Sequence, residues 1–150
     1  MTTAPYFGGE PVPDVAKLVK HSVWGGWRHG DGEIQPDAPR NGHTFDSVRR
    51  KGTFFPRSWS DQEIAEAITT TIESPDFVKA RAVRRVVYRD INDVMVTVEW
   101  DYVKGTAKGN TAYPTFGNGV ARFVPSKNER VEWSQDHEKT MRKARRVIQE

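Results

Sequence analysis

The chain has 150 residues, 36% of them apolar and 29% charged, with a formal net charge of +3 and no cysteine. That length favours one domain around one modest core, and the missing cysteines exclude a disulfide scaffold, a thiolate nucleophile and a cysteine-held zinc. No apolar run approaches the ~18 residues of a membrane span, the N-terminal residues lack a signal peptide's basic and apolar parts, and the mild excess of base suits an anionic partner and an ordinary soluble protein alike.

In chain order, residues 1–13 mix Pro and Gly without periodicity and read as a flexible or draped arm ahead of a single domain over 14–150. Asp14 is placed to cap a short helix whose apolar face is Val15, Leu18, Val19 and Val23. Residues 25–58 hold nine glycines and prolines, and Phe45, Phe54, Phe55 and Trp59 argue for a loop pinned to a core. Ser60 and Glu63 have capping-box spacing, and Ile64, Ala67, Ile68 and Ile72 follow on one helical face that stops near Ser74-Pro75.

Strand patterns come next. A run beginning near Ala82 carries Val83, Val86 and Tyr88, and Ile91-Asn92-Asp93 is a turn signal. The stretch VMVTVEWDYV sets Val94, Val96, Val98 and Trp100 against Met95, Thr97 and Glu99. TAYPTF and VARFV read as two short strands joined in a hairpin by Gly117-Asn118-Gly119, and VEW as a last strand edge. Ser134 then opens an expected helix with Met141, Ala144 and Ile148 on one side and Arg142, Lys143, Arg145 and Arg146 around it. The expected class is α+β: helices and a glycine-rich loop packed on a mainly antiparallel sheet.

Candidate chemistry centres on the glycine-rich loop. His29 and His43 lie off any apolar repeat, and imidazole is the side chain that exchanges protons near neutral pH. Arg28, Arg40, Arg49, Arg50, Lys51 and Arg57 surround them in sequence. A phosphate held between two imidazoles and a cation is a coherent site for cutting RNA, with the ribose 2′-hydroxyl as nucleophile. Ordinary surface-loop positions for both histidines fit the spacing equally. Asp31, Glu33 and Asp37 match no metal motif, and the glycines of residues 25–32 match no phosphate loop. His21 reads as a structural, hydrogen-bonded histidine and His137 as exposed. Trp24, Trp27, Phe45, Phe54 and Phe55 supply rings for a core or for stacking on a base.

Taken together, Arg28-His29, Gly42-His43, Lys51-Gly52-Thr53 with Phe55-Pro56, Trp59-Ser60-Asp61 and Thr111-Ala112-Tyr113-Pro114 resemble the bacterial EndoU-type ribonuclease domain over residues 27–116. That family is found mostly as the C-terminal toxin module of contact-dependent inhibition proteins. The resemblance implies a pancreatic-ribonuclease/EndoU-like fold, RNA as substrate and a 2′,3′-cyclic phosphate product, without metal or cofactor. It implies His29 and His43 as the acid–base pair, with a lean to His43 as base, and Lys51 as the cation, Arg49 and Arg50 being its alternatives. It implies Thr111 and Tyr113 as hydroxyl groups that hold phosphate or base, and Arg28, Arg50, Trp27 and Phe45 are the further substrate-binding candidates. It also implies export within a larger toxin, action in a target cell's cytoplasm and a cognate immunity protein as partner. Two other classes stay open: a nucleotide or NAD glycohydrolase on a related fold, and a non-catalytic RNA- or inhibitor-binding module.

Overall fold

A computed structural model describes residues 3–25, 39–136, 139 and 141–147. Its centre is the strand β6 (Val94–Val103), whose period-two alternation gives it two unlike faces. Val94, Val96, Val98 and Trp100 are fully buried on one side. On the other side lie Met95, Thr97 and Glu99. Antiparallel neighbours extend the sheet in the order β10 (Arg145–Arg146), β4 (Phe77–Arg81), β5 (Arg84–Ile91), β6, β7 (Thr106–Gly117).

Two helices cover the apolar face. α1 (Val15–Trp24) starts where Asp14 accepts a hydrogen bond from the Lys17 amide at 3.3 Å, and buries Leu18, Ser22 and Val23. The Ser22 hydroxyl, fully buried, donates to the Ala112 carbonyl of β7 at 2.9 Å, so this polar group bolts helix to sheet. α2 (Asp61–Glu73) carries the full reciprocal capping box, Ser60 with Glu63, and acidic Asp61 in its first turn. Its Ile64, Ala67, Ile68 and Ile72 pack into one cluster with Val78, Val87, Val94, Val96, Val98 and Trp100. Fully burying an aliphatic side chain of this size contributes roughly 1.5–3 kcal/mol, so this face carries most of the packing energy.

Turns fix the sheet's register. Asn92 and Asp93 both have positive φ, 52° and 66°, which matches the right-handed twist of the two strands they join. Opposite Trp100, β7 spends two residues, Gly109 and Asn110, because Glu99 pairs with Thr111 and Asp101 with Lys108. Gly109, at φ 65°, supplies the left-handed residue that such a bulge requires. The bulge falls beside Glu99, on the sheet's polar face. β7 also lies at the sheet's edge, which is why it tolerates Pro114.

Three expectations are corrected. First, β7 and β8 (Ala121–Val124) are not a hairpin: β8 pairs with β3 (Thr53–Phe54) and β9 (Glu129–Glu132) in a separate three-stranded sheet. A Cβ at Gly117 would lie 2.3 Å from the Asp93 carbonyl oxygen, so this glycine turns the chain through a close approach into another sheet. Second, the Ser134-capped helix does not form among the described residues. Met141 to Lys143 make a turn, and Arg145 and Arg146 pair with β4 as an edge strand. Met141 and Ala144, just ahead of that strand, pack against the cluster of Val86, Tyr88 and Met95, while His137 and Ile148 lie outside the described residues. Third, the strand expected from near Ala82 is present as β5, starting at Arg84, but it is preceded by an unexpected partner, β4, with exposed Val83 at the tip between them. The N-terminal segment is draped: β1 (Thr3–Ala4) pairs with β2 (Glu10–Pro11), and Tyr6 and Phe7 pack against the main cluster.

Candidate functional site

The polar face of the sheet floors a cleft of about 760 Å³. Glu99, Thr111, Tyr113 and Thr115 come from β6 and β7, and Arg84, Val86 and Tyr88 from β5. Lys79 and Arg81 of β4 and Lys139 stand on one side. His43, Arg49, Gly52 and Thr53 stand on another, and Arg122 and Trp133 come from the second sheet and its continuation.

His43 is wedged into place by backbone. Its amide donates to the Ser22 carbonyl at the end of α1 at 2.6 Å, and its carbonyl accepts from the Phe55 amide at 2.7 Å. The preceding residue must be small, since a Cβ at Gly42 would sit 2.2 Å from the Ser22 carbonyl oxygen. The Gly-His pair of the sequence therefore has a packing cause: the glycine admits the chain against α1, and the histidine follows into the cleft wall.

The imidazole is 4% exposed. Its Nδ1 lies 2.7 Å from the Thr53 carbonyl oxygen, an acceptor, so Nδ1 carries the proton and Nε2 the lone pair. Arg49 reaches that lone pair from 3.3 Å through Nη1. Burial pushes the His43 pKa down to about 4; the Thr53 hydrogen bond opposes this, and the charges of Arg49 and His21 add to it. Burial and the charge of Arg49 lower the pKa of His21 in turn. His43 is thus neutral at pH 7, a proton acceptor at Nε2.

Facing it, the Tyr113 ring is 5.8 Å from the imidazole, centroid to centroid. Its hydroxyl donates to Glu99 at 2.9 Å, and Arg84 donates to the other Glu99 oxygen at 2.8 Å while binding Asp101 at 2.9 Å. Burial, followed by the Glu99 charge, raises the Tyr113 pKa, so the phenol keeps its proton. The same two causes push Tyr88 up to about 12. Six cations line the cleft, Arg49, Lys79, Arg81, Arg84, Arg122 and Lys139, against Glu99 as the single carboxylate among the described residues. Excess positive charge within low-dielectric walls concentrates anions.

Of the sequence candidates, His43, Thr111 and Tyr113 share this cleft. Lys51 is exposed and does not line it; Arg49, the weighed alternative, does. Arg50 instead bonds Asn128 and lies over the Phe123 ring. Phe45 is held between the guanidinium groups of Arg57 and Arg130, at 4.7 and 5.6 Å from its centroid, away from the cleft. His29, Arg28 and Trp27 fall outside the described residues. Sequence reasoning missed Glu99, the β4–β5 cations and Trp133, and it did not connect His21 with His43, whose charges act on each other here. A legible signal existed for Glu99, the charged member on the polar side of an otherwise apolar alternating strand. Among the described residues, no three His, Cys, Asp or Glu group as a metal site would need, and no helix is long and apolar enough to cross a membrane.

Against known proteins, no family model, curated relative or solved structure matches the chain.

Proposed function

We propose that the protein is an endoribonuclease that cuts RNA by internal attack of a ribose 2′-hydroxyl. The observation that carries this is a neutral imidazole with its Nε2 lone pair turned to Arg49, in a cleft floored by Thr111 and Tyr113 and rimmed by cations. His43 Nε2 takes the 2′-hydroxyl proton. The 2′-oxygen bonds to the adjacent phosphorus, the bond to the 5′-oxygen breaks, and that oxygen takes a proton from the acid. The products are a 2′,3′-cyclic phosphate and a 5′-hydroxyl end. Arg49 offsets charge on the non-bridging oxygens. The sequence resemblance gives the acid's part to His29, and it alone supports export within a larger toxin, a target-cell substrate and an immunity protein as partner.

The rim favours a polymer over an enclosed nucleotide, because Arg81, Arg84, Arg122 and Lys139 are all exposed around the mouth. The test is product analysis of a mixed-sequence single-stranded RNA incubated in excess EDTA, with His43→Ala alongside. Fragments ending in 2′,3′-cyclic phosphate, absent with the variant, are the expected result. Intact RNA with folded wild-type protein rejects the proposal.

A further inference from the structure

The scheme above sets Arg49 against phosphate oxygens but leaves open how it does so while its Nη1 covers His43, and it gives no part to the Arg49 Nε–H. Its Nε–H is buried and has no hydrogen-bond acceptor among the described residues. A buried donor left without an acceptor is a costly arrangement that folded chains generally avoid. Next to it is Gly52, with φ 78° and no side chain. A Cβ placed there would stand 3.6 Å from His43 Cε1 and 4.0 Å from Arg49 Nε. Space beside one glycine therefore borders both the orphaned donor and the imidazole, and it opens to the cleft.

Arg49 also stands where a base must work. Its Nη1 covers the His43 lone pair from 3.3 Å, a long contact for an N–H donor, and His43 is buried beneath. A guanidinium offers paired N–H groups that match two oxygens of a phosphate far better than one ring nitrogen.

We infer that the space beside Gly52 is a phosphate subsite, and that a phosphodiester entering it draws Arg49 off His43, so that the substrate's own anion uncovers the imidazole. The inference rests on reading this cleft as a phosphate-binding one, and it deepens that reading by making the base conditional on substrate. The groups facing His43 are His21 from α1, Arg49 from its own loop, the Thr53 carbonyl from β3 and the Tyr113 phenol from β7. Replacing a cation contact by an anion next to the ring stabilises the imidazolium that forms when the proton is taken.

The experiment is nitrogen-resolved NMR on the full chain, titrated with inorganic phosphate at ionic strength held constant by chloride. The Arg49 Nε–H signal should move downfield and exchange more slowly with water. The His43 titration midpoint should rise by about one unit or more. In Arg49→Gln the midpoint without phosphate should already be higher, with most of the phosphate response gone. Arg49→Lys, which keeps charge but not the paired donors, should need at least about tenfold more phosphate. A His43 midpoint indifferent to phosphate, or a full response in Arg49→Gln, overturns the subsite. RNA cut by a protein whose His43 ignores phosphate keeps the cleavage and removes the subsite. RNA left intact by a protein whose His43 answers phosphate does the reverse.

Discussion

The two faces of the five-stranded sheet are made by the same residues of β6 taken alternately, yet they are opposites. Under α1 and α2, Val94, Val96, Val98 and Trp100 are all fully buried and pack in one apolar cluster. One residue along the strand each time, Thr97 and Glu99 face Thr115, Tyr113 and Arg84. The first face needs volume and tolerates no charge. The second spends buried hydrogen bonds on holding polar groups in fixed directions, which adds little net stability but gives the cleft its geometry. A single strand thus separates the apolar core from the polar cleft.

The sharpest way to break that division is Trp100→Ala. Removing this ring should destabilise the fold by about 3–5 kcal/mol, read from a urea midpoint, and any activity should fall only with the folded fraction. Next is pH. His43 has a native pKa of about 4, below its unfolded value of 6.5. The neutral ring is favoured in the folded state, so its contribution is present in full above pH 6.5 and is lost as pH falls through 4. The loss is on the order of 3 kcal/mol, and His21, also lowered, adds in the same direction. Urea midpoints at pH 7 and pH 4 should diverge in the wild type and lie closer together in His43→Gln, the remaining gap including the part of His21.

On the polar face, Tyr113→Phe should cost about 1 kcal/mol, since Glu99 keeps Arg84 as partner, while RNA cleavage falls by an order of magnitude or more. A strong stability loss would instead make Tyr113 part of the core. Smallest in stability is Lys79→Ala with Arg81→Ala: within about 0.5 kcal/mol of wild type, but with an RNA-binding salt dependence shallower by ~1.4 in logarithmic slope if both touch single-stranded phosphates.

Local signals carried much of this architecture. The Ser60–Glu63 box, the Asp14 cap, the Asn92-Asp93 turn and the alternation of β6 each follow from interactions within a few residues, and each is present in the fold. What could not be read was set at a distance. Asn118-Gly119 looks like a hairpin tip, but the close approach of Gly117 to Asp93, twenty-four residues earlier in the chain, sends the strands into different sheets. The basic C-terminal stretch has helical spacing, yet the open edge of β4 takes Arg145 and Arg146 as a strand. The site divides in the same way. His43 was singled out from its loop, and Thr111 and Tyr113 through the resemblance, and the three line one cleft. Arg49 over Lys51 is a tertiary outcome: Arg49 reaches His43, and Lys51 is exposed. The cations of β4 and β5 carried no local signal of a site, because strand pairing alone brings Lys79, Arg81 and Arg84 to one cleft.

The central claim, that this cleft uses the substrate's own hydroxyl as nucleophile, is most directly tested with a DNA oligonucleotide carrying one ribonucleotide. Incubated with the protein, it should be cut once, on the 3′ side of that ribose, leaving a 2′,3′-cyclic phosphate, and a 2′-O-methyl group at the same position should abolish the cut. Cleavage at the deoxyribose positions, or cleavage that survives the 2′-O-methyl group, would contradict the account.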